Sequence, residues 1–148
     1  MVKTLFEESF VICYLDDGIP VLSHRWKTPT NAENFRHALM RMIGLFKALK
    51  KEYPNLTWLG DTNHLGVLSM ETQTWLKESW TAHLLDGGVH YHALVVPKDV
   101  FAKFAMKKFK DNLTSHHPGE IVIEHFADEP TANHWLRQCV ALPEEQTK

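Results

Sequence analysis

His90 and His92 form the sharpest metal-binding pattern in the chain. Side chains two residues apart on a strand leave the same face, and imidazole is a common metal ligand. His116, His117 and His125 are further donors, but no spacing fixes a third ligand, so neither a metal nor any other cofactor is expected. A second set gathers at Asp61, followed by Asn63, His64 and Ser69. Asp, His and Ser together invite nucleophilic catalysis. The same spacing fits a loop that Asp61 orders and a helix that Ser69 caps, and this second reading is the expectation. Trp75 and Trp80 are the third feature. Five residues apart on a regular α-helix they stand about 140° round the axis. One should therefore pack on a sheet while the other is placed to anchor a partner.

Other chemistry is missing from the chain. There is no Gly-x-Gly-x-x-Gly or phosphate loop, no Gly-x-Ser-x-Gly elbow, and no Cys-x-x-Cys. The 148 residues are 44% apolar and 23% charged, which fits one globular domain of ~150 residues. A domain of that size hides roughly 70% of its unfolded surface, so neither disulfide nor metal is needed as a staple. The net charge of −2 argues against a dedicated nucleic-acid or anionic-membrane binder. Ten histidines would make the chain cationic as pH falls through about 6.5. Two cysteines, Cys13 and Cys139, make no disulfide framework, Glu7 and Glu8 stand where a signal peptide needs apolar residues, and no apolar run approaches a membrane span. A cytoplasmic protein with reduced thiols is expected.

The elements that must position these residues are legible from periodicity. Phe10 to Leu15 and Ile19 to Lys27 predict a hairpin about Asp16-Asp17-Gly18. Thr30 with Glu33 reads as a capping box. Phe35, Leu39, Met42, Ile43, Phe46, Leu49 and Tyr53 then form a helical stripe that Pro54 ends. Leu56 to Gly60 predicts a third strand. If it is parallel, Asp61 lies where open α/β sheets bind ligands, outside the carboxyl ends of the strands. Ser69 should cap a helix from Met70 to Leu85, closed by Asp86-Gly87-Gly88. His90 to Val96 predicts a fourth strand, and a third helix buries Phe101, Phe104, Ala105 and Phe109. Asn112 to Gly119 is a polar loop, Ile121 to Phe126 a fifth strand, and Asp128 onward a last helix through Val140. The expected fold is α/β in the order ββαβαβαβα, a mixed, mostly parallel five-stranded sheet with about four helices in one domain over 1–148.

Several strings in this order resemble the SpoIIAA-like fold, the group of STAS domains and Sec14-type lipid binders, and in particular a small stand-alone bacterial branch of it. They are Trp26-Lys27 ending the hairpin, Leu59-Gly60-Asp61, and Ser69-Met70-Glu71-Thr72-Gln73-Thr74-Trp75. Gly88-Val89 then leads to Ala93-Leu94-Val95-Val96-Pro97-Lys98-Asp99-Val100-Phe101, and His125-Phe126 precedes Ala132 and Trp135-Leu136. The resemblance covers about 8–138 and implies a fold more than an activity. STAS domains of the antagonist type bind partner proteins and are not enzymes. Some are switched by phosphorylation in an Asp-Ser-Ser-Gly-like turn, which is absent between Asp61 and Ser69, where Met70-Glu71 follows the serine. A Sec14-type carrier needs a larger cavity than 148 residues leave.

The leading expectation is a non-catalytic regulatory or protein-interaction module. The alternatives are a binder of a small ligand, lipid or nucleotide, beside Asp61, Asn63 and His64, and a metal-assisted hydrolase using His90 and His92. A homodimer is expected through the hairpin edge or through the Trp75–Trp80 helix, since unpaired edges invite pairing.

Overall fold

The computed structural model describes residues 1–97, 99 and 121–141. Its centre is a mixed sheet of six strands in sequential order. β1 (Val2–Glu7), β2 (Val11–Asp16) and β3 (Val21–Trp26) form an antiparallel meander. β4 (Thr57–Asp61), β5 (Tyr91–Val95) and β6 (Val122–Phe126) extend it in parallel from β3. The α/β class is as expected, but the strand count is six rather than five. The extra strand is β1, whose Val2, Lys3, Thr4 and Glu7 are exposed. An edge strand that buries little carries no apolar alternation from which to read it.

β1 changes what the hairpin does. It pairs along β2, so the strand expected at an open edge is interior. The new edge is interrupted by a bulge between Thr4 and Phe6 and flanked by exposed Lys3 and Glu7. Bulges and edge charges both discourage strand addition. The edge argument for a homodimer therefore loses its premise.

Helix α1 (Ala32–Leu49) buries Phe35, Ala38, Leu39, Met42, Ile43 and Phe46 on one sheet face. Its N-cap is Asn31 rather than Thr30: the Asn34 N–H donates to Asn31 Oδ1 at 2.7 Å, while the Thr30 hydroxyl accepts from Asn34 Nδ2 at 3.3 Å. Asn31 is one residue nearer the helix and accepts at the geometry a cap requires. The helix expected from Met70 to Leu85 is a rod of three parts: α2 (Met70–Trp75), a π-helical turn (Leu76–Trp80) and α3 (Thr81–Gly87). Gly88, at φ 84°, terminates the rod in the left-handed region that glycine enters without strain. Helix α4 (Glu129–Val140) covers the opposite face, capped by Asp128, whose Oδ1 accepts from the Thr131 N–H at 2.8 Å. The helix expected over Phe101 to Phe109, the loop holding His116 and His117, and the tail from Pro143 lie outside the described residues.

Two apolar layers result. The larger lies under α1 and the α2–α3 rod and includes Trp26, Trp58, Trp80, Leu94 and Ile123. The smaller lies under α4 and consists of Ile19, Val21, Leu59, Ala93, Val95, Ala132 and Leu136. Among the described residues no helix is long and apolar enough to cross a membrane.

The π turn corrects the expectation for the two tryptophans. Its wider i→i+5 pitch brings residues five apart onto one side of the rod. Trp75 and Trp80 stack, with ring centroids 5.6 Å apart and planes at 28°. Trp80 continues inward to Trp58 at 5.8 Å and is fully in the core, while Trp75 is half-buried above it. Neither ring is a solitary exposed anchor. Trp80→Ala is expected to cost about 3–5 kcal/mol as a core truncation. Trp75→Ala should cost clearly less, because Trp75 is only partly buried at the edge of the core. Urea unfolding followed by circular dichroism checks the order; equal losses would contradict it.

Candidate functional site

Strand β4 delivers its last residue, Asp61, to the α4 face of the sheet, in register with Arg25 of β3 and Val95 of β5. The next residues turn tightly. The Asn63 N–H and its Nδ2 donate to Asp61 Oδ1 at 3.0 and 3.1 Å. The Thr62 N–H and hydroxyl both donate to the Val95 carbonyl, at 2.8 and 2.9 Å. The Leu65 N–H donates to the Thr62 carbonyl at 3.1 Å, and Leu65 is buried. Gly66, at φ 78°, turns the chain beside Pro29. The loop closes on α2, where the Thr72 N–H donates to Ser69 Oγ at 3.1 Å and Gln73 Nε2 donates to the Leu68 carbonyl at 2.8 Å.

Ser69 is thus the helix cap that its spacing implied. The Asp–His–Ser set does not converge. Asp61 faces α4, Ser69 belongs to a helix packed on the other face beside α1, and His64 is exposed. Two features of this loop carry no polar signal. Val67 is 97% exposed and Met70 is 74% exposed, one on each side of Ser69. They are large apolar side chains held in water by a loop whose backbone is tied down at both ends.

On the α4 side Asp61 meets three residues that sequence spacing does not connect to it. The carboxyl of Glu129, in the first turn of α4, is near enough for the two acids to influence each other. Tyr14 Oη of β2 donates to Glu129 Oε1 at 2.5 Å. Arg25 Nη1 lies 3.6 Å from Glu129 Oε2, and its guanidinium sits 6.0 Å from the Tyr14 ring centroid. Asp61 is only 6% exposed. Burial, then the neighbouring Asp61 carboxyl, push the Glu129 carboxyl above the usual carboxylate range. Burial, then the bond to Glu129, push the Tyr14 phenol up as well. Nothing local in Tyr14, Arg25 or Glu129 marks them; only the strand register and the start of α4 bring them together.

The opposite face holds the histidines. His92 is 3% exposed, with Nδ1 3.3 Å from the Ala93 carbonyl, whereas His90 precedes the strand and is exposed. The pair expected to share one strand face therefore sits at two different depths. The His92 ring lies 6.2 Å from Trp58, and on the far side of β4 the same face holds His24 of β3, which its sequence context does not mark. His24 is 5% exposed and wedged edge-on between Trp26 at 5.8 Å and Trp58 at 5.5 Å. Its ring fits because the cross-strand residue is Gly60: a Cβ there would stand 2.9 Å from His24 Cε1 and Nε2. His24 Nδ1 has no hydrogen-bond partner. Desolvation, then the charge of His92, push His24 down to about 3. Desolvation holds His92 at about 4, opposed by its bond to Ala93. Both rings are neutral in the folded protein. Among the described residues no three His, Cys, Asp or Glu side chains are grouped to hold a metal ion. No family model matches the chain, and no curated protein or solved structure is significantly similar to it.

Two measurements follow. Ser69→Ala should cost about 1 kcal/mol, and Ser69→Asp should be tolerated because an acid is favourable at a helix N-terminus. Unfolding caused by Ser69→Asp would contradict the cap. The histidines set an acid limit. Unfolded, both take up protons near pH 6.5; folded, neither does until about 4 and 3. Their contribution to stability is complete above 6.5 and is lost as pH falls towards 4. The steepest slope is about 2.7 kcal/mol per pH unit, one proton per ring. His24→Gln or His92→Gln should halve that slope in urea melts between pH 7 and 4.5; an unchanged slope in both would refute the assignment.

Proposed function

We propose that this chain is a non-catalytic interaction module of SpoIIAA/STAS-like fold that meets a regulatory protein partner through the loop from Thr62 to Ser69 and the first turn of α2. The observation that carries this reading is the exposure of Val67 and Met70 on a loop fixed by backbone and side-chain hydrogen bonds. A segment already ordered loses little conformational freedom on binding, so apolar contact translates efficiently into affinity. Exposed apolar side chains on a rigid support are also what a protein interface buries at its centre. The resemblance of the strings around Asp61 and Ser69 to STAS domains, which bind partner proteins, supports the same reading. The structure agrees with the expected fold only at the level of an α/β mixed sheet with helices on both faces. Its six strands and their order depart from the five-stranded pattern that the resemblance implies.

A second reading rests on a different observation. Tyr14, Arg25, Asp61 and Glu129 supply donors and acceptors together at the carboxyl end of β4, where open α/β sheets bind small ligands. Binding there would place a small polar molecule on the α4 side, away from Val67 and Met70.

The partner reading is tested by affinity capture from native lysate with wild-type protein and with the Val67→Asp/Met70→Glu variant. A stoichiometric partner held by wild type and lost by the variant, at unchanged circular dichroism, is the expected result. Equal capture by both proteins, or turnover in a broad substrate screen, would overturn it.

A further inference from the structure

A regular α-helix would set Trp75 and Trp80 about 140° apart, and the π turn stacks them instead. That stack is the outer link of a longer row. Trp75 lies 5.6 Å from Trp80, and Trp80 lies 5.8 Å from Trp58, centroid to centroid. Exposure rises along the row: Trp58 is 1% exposed, Trp80 is 3% exposed, and Trp75 is partly exposed at the edge of the core. We propose that these three indoles are a conduit for electron holes, carrying one-electron oxidation from the centre of the sheet out to Trp75, where a small soluble reductant such as ascorbate repairs it.

Electron tunnelling weakens exponentially with the gap between donor and acceptor, so neighbouring rings exchange an electron far more readily than distant ones. Indole is also among the side chains that give up an electron most easily. The direction follows from solvation. A radical cation is a charge, and an apolar interior disfavours it. The hole is therefore least stable on Trp58, which is enclosed by Phe46, His24 and His92, and most stable on Trp75, which water reaches. The inner end is closed by rings that are harder to oxidise. Phe46 stands 5.6 Å from Trp58, and the His24 imidazole, 5.5 Å from Trp58, separates it from Trp26. The π turn makes the outer link, and such turns are rare and frequent at functional sites.

Each step conserves electrons and protons. A one-electron oxidant, or an ultraviolet photon whose ejected electron is taken by dissolved oxygen, leaves Trp58 as a radical cation. Trp80 gives one electron to Trp58, and Trp75 gives one to Trp80. Trp75 then loses its indole N–H proton to water, and the neutral radical holds the oxidation at the surface. Ascorbate supplies one electron and one proton, which re-forms the N–H bond and leaves an ascorbyl radical. Without a reductant, oxygen adds to the Trp75 ring and marks the place where the hole stopped.

Deep-ultraviolet laser flashes eject electrons from indoles whether or not they are buried, and mass spectrometry of the digested full chain reads the oxygenated product at each tryptophan. In aerated wild type, Trp75 should collect the holes of all three rings. Trp80→Phe keeps an aromatic ring in the core but breaks the row. Product at Trp75 should then fall by about two thirds, to the share of its own ring, while product at Trp58 rises. Trp75→Phe, at the edge of the core, should move the product to Trp80 and Trp58. Ascorbate should suppress the product at Trp75 in wild type and leave the product at Trp58 in Trp80→Phe. Trp135, on the other face of the sheet against Tyr91 and Phe126, is the internal standard and should not change. Circular dichroism checks each fold, and if Trp80→Phe does not fold, Trp75→Phe decides. Equal product on the three rings of wild type, unchanged product at Trp75 in Trp80→Phe, or unchanged product at Trp80 in Trp75→Phe would each overturn the proposal.

Discussion

The packing of Trp58 is the contact on which the rest of the fold depends. Its indole lies on β4 in the middle of the sheet and meets Phe46 of α1 at 5.6 Å and Trp80 of the π turn at 5.8 Å. It also meets His24 and His92 from the two flanking strands. One fully buried ring thus joins both covering helical units and three adjacent strands. Large aromatic side chains dominate core energetics, and the geometry of their contacts is directional. The π turn follows from this demand: the rod must place Trp80 over Trp58 while Trp75 stays stacked above it, and a regular helix would point one of them away.

The two faces of the sheet use burial differently. Under α1 and the rod, the polar atoms in the core belong to neutral imidazoles among tryptophans, and protonating them is costly. Under α4, the polar atoms belong to Tyr14, Asp61 and Glu129 beside the half-exposed Arg25. One face buries neutral rings among aromatics, and the other gathers acids, a phenol and a cation at the end of a strand. The loop from Thr62 to Ser69 leaves the sheet between these two environments and draws its rigidity from bonds to Asp61 and Val95.

Local signals carried most of the architecture. The stripe from Phe35 to Phe46, the Ser69 cap, the Gly88 terminator and the runs in β4, β5 and β6 each depend on neighbours within a few residues, so periodicity exposes them. β1 escaped because its register is set by β2 while most of its side chains face water. The π turn escaped because one extra residue per turn leaves no mark in composition. At the candidate site Asp61 was legible from its place at a strand end, and Asn63 followed from adjacency. Glu129, Tyr14 and Arg25 were not, since three separate elements bring them to Asp61 and no pattern along the chain encodes that meeting. His24 was hidden among ten histidines, and only the space left by Gly60 distinguishes it.

The close approach of His24 and Gly60 also constrains how this sequence can drift. A side chain at position 60 has no room while the imidazole occupies position 24, because its first carbon would collide with the ring. A smaller residue at 24 leaves a void beside Trp58 unless position 60 grows to fill it. The two positions are coupled, and their substitutions will not add. Lineages that exchange this pair must pass through a void or a clash, and the void is the passable intermediate. Position 24 is therefore expected to change first wherever position 60 has ceased to be glycine, an ordering imposed by geometry on descent.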